Sequence, residues 1–309
     1  MLHSPHSLII YIMSVRCYRD RVSTWILVSC LVIVGILLVK DDVVPTRPEG
    51  APSYFNEKSV TVIDYNVKET PVSTPLASSL IDVPLEFASP ARISVSYPGK
   101  RSFEGEYWSF EGEYWSATIR RHVPFESLHE RLFATFADYR PDIVGISWQP
   151  FILKWPKGTP RHRGHVPDYF CRLSSGDGLV VDVKRPDKLD DYEKQFELTR
   201  EVCDQVGWQY EVFSGLPDIF AQNLGFLAGF RQDRYSPALS IQDSLLSAFV
   251  PGTSLEVGIR RAARQTSLHQ SLLRGNVLHL LWNHELSCDL SALLTDSTFI
   301  SVAGNEVRL

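Results

Sequence analysis

The residues of this chain best placed to do chemistry are two aspartates and a lysine. Asp168 follows Pro167, Asp182 comes one hairpin later, and Lys184 stands two residues beyond it. Two carboxylates on neighbouring strands hold a hard divalent cation through oxygen. A lysine beside them orients or helps deprotonate a water, or neutralises charge developing on a phosphate. The pattern has a plain alternative: Asp182 and Lys184 as a surface ion pair on a half-exposed strand, worth under about 1 kcal/mol. Pro141-Asp142 repeats half of the pattern with no acid-x-Lys at a similar distance. A third carboxylate is available at Glu130, with Glu126 four residues earlier as a further metal candidate. Ser127-Leu-His-Glu130 also has the form of a helix capping box, and from that helix alone capping is the simpler reading.

Elements must bring these groups together. Leu128, Leu132, Phe136 and Tyr139 form one stripe at helical spacing, so a helix is expected over 124–139. Residues 142–149 read as a strand, with 150–155 continuing it in extended form. A basic loop follows, holding Lys154, Lys157, Arg161, His162, Arg163 and His165. Residues 165–173 and 178–184 read as two strands joined by Ser174-Ser175-Gly176-Asp177, a hairpin signal. Side chains alternate along a strand, so Asp182 and Lys184 share one face and Val181 and Val183 the other. A helix is expected over 189–206.

Composition sets the bounds. The chain has 309 residues, 44% hydrophobic and 22% charged, with a formal net charge of -5. A wholly disordered chain, a collagen-like chain and a multi-span transporter are excluded. A net negative total still allows a local basic groove. Cys17, Cys30, Cys171, Cys203 and Cys288 are scattered and odd in number. They read as reduced thiols rather than as a disulfide framework.

The flanks differ from this centre. Residues 22–39 carry no charge and come near the length of one membrane span. Arg16, Arg19 and Arg21 precede that segment, and insertion by the charge rule would export the rest of the chain. Segment 1–42 is therefore expected to be dispensable, either a start codon read too early or a tether, and the protein cytoplasmic. Residues 43–90, rich in Pro, Ser, Thr and Val, read as a linker with one extended segment at 59–65. Residues 91–97 alternate as a strand. SFEGEYW then occurs twice in tandem, at 102–108 and 109–115. It is too short for a solenoid repeat and reads as a loop duplication.

Past residue 235 helices are expected over 240–249, 254–264 and 276–286, followed by a hairpin around Ala303-Gly304-Asn305. Arg260, Arg261 and Arg264 lie at helical spacing and face either phosphate, an acidic partner or solvent. His279, His284 and Glu285 miss the HExxH zinc pattern and read as packing and surface residues.

In order and spacing the chain resembles the TnsA-like endonuclease subunits of heteromeric transposases, within the PD-(D/E)xK nucleases. The stretches that carry this are FESLHERLF (125–133), PDIVGISWQPF (141–151), HVPDYF (165–170), VVDVKRPDKL (180–189), VGWQYEVF (206–213) and NLGFLAGFR (223–231). The resemblance covers residue 91 onward, and the tandem heptad departs from the single copy expected of the family.

The resemblance implies an α/β fold: a restriction-endonuclease-like mixed sheet core flanked by helices over 91–234. A mainly helical, winged-helix-like domain follows over 235–309. It implies catalytic roles for Glu130, Asp168, Asp182 and Lys184, the three acids binding one or two Mg2+ ions, with Mn2+ able to substitute. Arg161, Arg163, His165 and Gln149 are expected at the DNA. The implied partners are DNA, an integrase-type transposase subunit and an AAA+ ATPase regulator, with no membrane. A stand-alone restriction or repair nuclease, and an inert membrane-tethered binding protein, are the alternatives.

Overall fold

Residues 60–91, 111–157 and 164–303 are described by the computed structural model. The stretch read as linker opens the fold. Val62–Val67 (β1) and Thr70–Pro75 (β2) pair antiparallel. Lys68 and Glu69 turn the chain between them, with φ of 54° and 61°. Such a turn favours Asn-Gly, so Lys-Glu hid it from the sequence. Pro71 and Pro75 are tolerated because β2 is the outer strand of its sheet. Two short helical turns follow, burying Leu80 and Leu85. Arg172 clamps this segment, donating to the carbonyls of Ile81 and Val83 and to Glu86. Residues 60–90 are therefore core material, and the linker reading is corrected for them.

Gly112–Ser116 (β3) and Arg121–Phe125 (β4) form a second hairpin. Most of the second heptad lies in β3 or just before it, while the first heptad and the strand expected over 92–97 lie outside the described residues. Leu128–Tyr139 (α1) comes next, N-capped by Ser127. Its buried Asp138 ties the hairpin down, accepting from Tyr114 Oη, Ser116 Oγ and the N–H groups of Ala117 and Thr118. Deleting 102–108 leaves the same sequence whichever copy is removed, and only shortens the connection into β3. The expected result is an unchanged melting temperature and unchanged activity. A lower melting temperature would show that the extra seven residues are structurally used.

Ile143–Trp148 (β5) runs into Phe151–Lys154 (β6), but the two belong to different sheets. Gln149 makes the corner. β6 pairs with β1, while β5 pairs with Tyr169–Leu173 (β7). β7 turns through Gly176, at φ 95°, into the antiparallel Gly178–Val183 (β8). Leu189–Val206 (α2) follows, as expected, and ends at Gly207 in the left-handed conformation. Gln209–Phe213 (β9) then lies parallel to β8.

The sheet β5-β7-β8-β9 is thus mixed and covered on both faces. α1 packs Phe133, Ala134 and Ala137 against Tyr169, Cys171, Val181 and Val183. α2 packs Val202, Cys203 and Val206 against Phe170 and Val180, where Ile63, Leu80, Leu85 and Leu153 join them. The alternation read in β8 therefore divides two real cores.

The remaining elements are Asp218–Leu227 (α3), Leu239–Ser247 (α4), Thr253–Ser254 (β10), Leu255–Thr266 (α5), Gln270–Trp282 (α6), Leu286–Ser287 (β11) and Phe299–Val302 (β12). β12 pairs with β10 on one side and β11 on the other. The final strand is therefore real, but its described partners lie upstream; residues 304–309 are outside the described set. Leu224, Leu227 and Ala228 share a core with α4, α5 and α6. Phe136 and Tyr139 of α1 pack against the same core. Among the described residues no helix is long and apolar enough to cross a membrane, and residues 22–39 lie outside them.

Candidate active site

β7 starts where β8 ends. Tyr169 pairs with Val181, so Asp168 and Asp182 occupy the next position at that end of the ladder. The N-terminus of α1 brings Glu126 and Glu130 to the same place, and the β5–β6 corner brings Gln149. Together with His165, Asp168 and Lys184 they line a cleft of about 460 Å³, closed on its far side by α2.

Asp168 Oδ2 accepts from the Val183 N–H at 2.7 Å and from Lys184 Nζ at 3.3 Å. Its Oδ1 has no hydrogen-bond partner among the described residues. Burial raises its pKa, Asp182 adds to the rise, and Lys184 and the Val183 N–H oppose it. Lys184 also donates to the Val183 carbonyl at 3.0 Å and lies 5.3 Å over the Tyr192 ring. Burial works against its charge, but Asp168 and Asp182 outweigh burial and raise its pKa. It is therefore an ammonium group at neutral pH.

Asp182 departs from expectation. Its side chain is fully buried, and it is not part of the cleft wall. His165 Nε2 contacts both of its oxygens, at 2.9 and 3.0 Å, and Tyr210 donates to it at 2.6 Å. Burial pushes its pKa up, but His165, Tyr210 and Lys184 win and hold it below the usual range. Tyr210 is pushed above the ordinary phenol range by burial and by Asp182, so it stays a donor. Both Asp182 oxygens are thus already engaged by His165, and one of them by Tyr210 as well. His165, expected at the DNA, lines the cleft and is spoken for by Asp182. Reciprocal backbone hydrogen bonds to Leu153 fix it beside β6, and its ring faces Asp182. Arg161 and Arg163 lie outside the described residues. Lys154 of the basic loop instead sits on β6, ion-paired with Asp64.

Glu130 does the capping that its spacing announced. Its N–H donates to Ser127 Oγ at 3.1 Å, and its carboxylate accepts from that hydroxyl at 3.0 Å and from the Glu126 N–H at 2.9 Å. Burial, then the charge of Asp168, lifts its pKa to about 7. The ionised form is thus favoured less in the fold than in the unfolded chain, and the protonated form more. In metal-free buffer this group's contribution to stability falls as pH rises from about 4.5 to about 7. The full shift corresponds to on the order of 3 kcal/mol. Glu130→Gln is expected to gain on the parent chain between pH 5 and pH 8, read as a change in the melting-temperature difference. A difference that does not move with pH would contradict the raised pKa.

Gln149 is strained and unsatisfied. Its φ is 46°, a left-handed conformation costing an L-residue about 1–2 kcal/mol. It is 3% exposed, and its Oε1 is buried with no hydrogen-bond partner among the described residues. Such an orphan costs about 1–3 kcal/mol.

The donors fit a hard cation in kind, being oxygen throughout. Among the described residues no group of three or more His, Cys, Asp and Glu is gathered tightly enough to form a ready-made metal cage. The described cleft wall carries three carboxylates, Glu126, Glu130 and Asp168, against one ammonium, Lys184. Tyr210 and Tyr192 were not singled out from the sequence. The period-two alternation of QYEVF could have placed Tyr210 on the Val180 face, beside Asp182.

Away from the cleft, His279 Nδ1 bonds the Phe230 carbonyl and His284 Nε2 the Tyr139 carbonyl, so both histidines are packing residues. Arg261 donates to the Ala248 carbonyl, and Arg260 pairs with Glu256 on the surface of α5. No protein-family model matches this chain, and no curated protein matches it. Function must be argued from the site and from the stretches that carry the resemblance.

Proposed function

We propose that this chain is a Mg2+-dependent DNA endonuclease, one subunit of a heteromeric cut-and-paste transposase. The observation that carries the reading is the meeting of Asp168, Lys184 and Glu130 in one cleft at the open end of β7 and β8. They reach it in the order helix acid, Pro-Asp strand, acid-x-Lys strand, helix. A mixed sheet covered by α1 and α2 supports a restriction-endonuclease-like core. The order α4-β10-α5-α6-β11-β12, with β12 between the other two strands, supports a winged-helix-like module.

The reaction is phosphodiester hydrolysis: a water oxygen bonds to phosphorus and gives up a proton, in line with the departing deoxyribose oxygen, whose bond to phosphorus breaks and which leaves as a hydroxyl. Mg2+, or Mn2+ in its place, supplies Lewis-acid stabilisation of the charge developing on the phosphoryl oxygens. Asp168 and Glu130 are the residues that would hold it, with Asp182 joining once His165 gives way. Lys184, a donor pinned between Asp168 and the Tyr192 ring, orients the attacking water and faces the developing negative charge. Glu130 loses its reluctance to ionise when a cation neutralises its neighbours.

By resemblance this subunit cuts the 5′ ends of an element, an integrase-type transposase cuts the 3′ ends, and an AAA+ ATPase couples both to a target. Work on DNA places the protein in the cytoplasm. The test is Mg2+-dependent nicking of element DNA by the chain together with the products of its neighbouring transposase genes. Strand-specific nicks that need all subunits support the reading. Efficient cutting of unrelated DNA by the chain alone would make it a stand-alone nuclease.

A further inference from the structure

Gln149 is the residue in the cleft whose conformation the fold does not repay. Its backbone is pinned on both sides: the N–H donates to the Asp168 carbonyl at 2.9 Å, and its carbonyl accepts from the Ala91 N–H at 2.7 Å. The φ of 46° would suit glycine or asparagine better. Its side chain is buried, yet Oε1 meets no donor among the described residues. Leucine or methionine would fill the same space and forfeit no hydrogen bond to that oxygen. Strain and an orphaned oxygen at one residue of a cleft point to a ligand.

The surroundings define what that ligand is. Gln149 shares the cleft wall with Asp168, to which it is joined backbone to backbone. Asp168 Oδ1 is a second oxygen without a donor among the described residues. Two acceptor oxygens with no donor among the described residues suit a positive group better than a phosphate. An amide oxygen is an ordinary ligand for Mg2+ and Mn2+, and it adds a donor without adding negative charge.

We propose that Gln149 Oε1 is a ligand of a divalent cation in this cleft, the neutral member of a set with Asp168 and Glu130. The assignment rests on the reading of the cleft as a metal-dependent site, and it replaces the expectation that Gln149 contacts DNA.

The test is Mn2+ titration of the full chain by calorimetry, with melting in EDTA as the second readout. Gln149→Leu is expected to weaken Mn2+ binding about tenfold or more and to melt no lower than the parent in EDTA. Gln149→Glu is expected to bind Mn2+ again. Should the leucine variant misfold, Gln149→Met replaces it, since its flexible chain follows the path of glutamine. Unchanged Mn2+ affinity in the leucine or methionine variant, with binding lost in Asp168→Asn, overturns this assignment and leaves the metal site standing. Loss of DNA affinity in EDTA with Mn2+ affinity intact overturns it too, and returns Gln149 to the phosphate. Absence of Mn2+ binding by the parent chain removes the underlying reading itself.

Discussion

Lys184→Met and Asp168→Asn are each expected to cut Mg2+-dependent DNA cleavage by about a thousandfold or more while leaving the circular dichroism spectrum unchanged. Both side chains belong to one partly buried ion pair of 3.3 Å, but they fail for different reasons. Asparagine removes the charge that draws a cation to the β7 end of the cleft. Its amide still fills the space, although it loses an anionic acceptor for the Val183 N–H. Methionine keeps the length of the lysine and its seat over the Tyr192 ring, but removes the donor proposed to face the scissile phosphate. It also leaves Asp168 with less to hold its proton off, so cation binding should weaken as well as chemistry. The two variants separate at high metal: raised Mg2+ should recover part of the Lys184→Met loss and little of the Asp168→Asn loss. Full activity in either would remove this cleft as the active site.

Asp138→Ala carries the largest expected cost in stability, about 3–5 kcal/mol. The Asp138 carboxylate is fully buried and holds four donors between 2.6 and 3.0 Å: two hydroxyls and two backbone N–H groups. Arg231 lies 3.9 Å away, stacks over Tyr114 at 4.7 Å and donates to the Trp115 carbonyl. Alanine strands all of these donors at once, whereas an isolated hydrogen bond is worth only about 1 kcal/mol. Urea denaturation reads the loss. Asp138→Asn, which keeps one acceptor oxygen, should fall between the alanine variant and the parent. A loss under about 1 kcal/mol for alanine would mean that the β3–β4 hairpin is held by its apolar contacts alone. The hairpin leads directly into Ser127 and Glu130, so cleavage should fall along with stability.

Much of this arrangement was legible before any coordinates, and the illegible parts have identifiable causes. α2 was read over its full length because a polar-apolar repeat ends at Gly207, a residue type that stops helices. The β7–β8 hairpin was readable from Ser-Ser-Gly-Asp, and with it the shared end that gathers Asp168, Asp182 and Lys184. β1 and β2 were not readable, because Lys68 and Glu69 adopt a left-handed turn that their side chains do not advertise. The state of Asp182 was hidden for another reason. Its partners are a loop histidine and a tyrosine on β9, and only tertiary pairing brings either one to it. Gln149 looked like the end of a strand. Its strain follows from β5 and β6 belonging to different sheets, which no local pattern records.

Cleavage in 18O-labelled water tests the central claim most directly. The full chain, with its partner subunits, would cut element DNA in Mg2+, and mass spectrometry would read the terminal phosphates. Hydrolysis at this cleft predicts one labelled oxygen on the phosphate left by each cut at an element 5′ end, absent in EDTA and absent with Asp168→Asn, while the partner's cuts at the 3′ ends stay labelled in that variant. Labelled cuts at the 5′ ends produced equally by Asp168→Asn, or 5′-end cuts that carry no label, would contradict it.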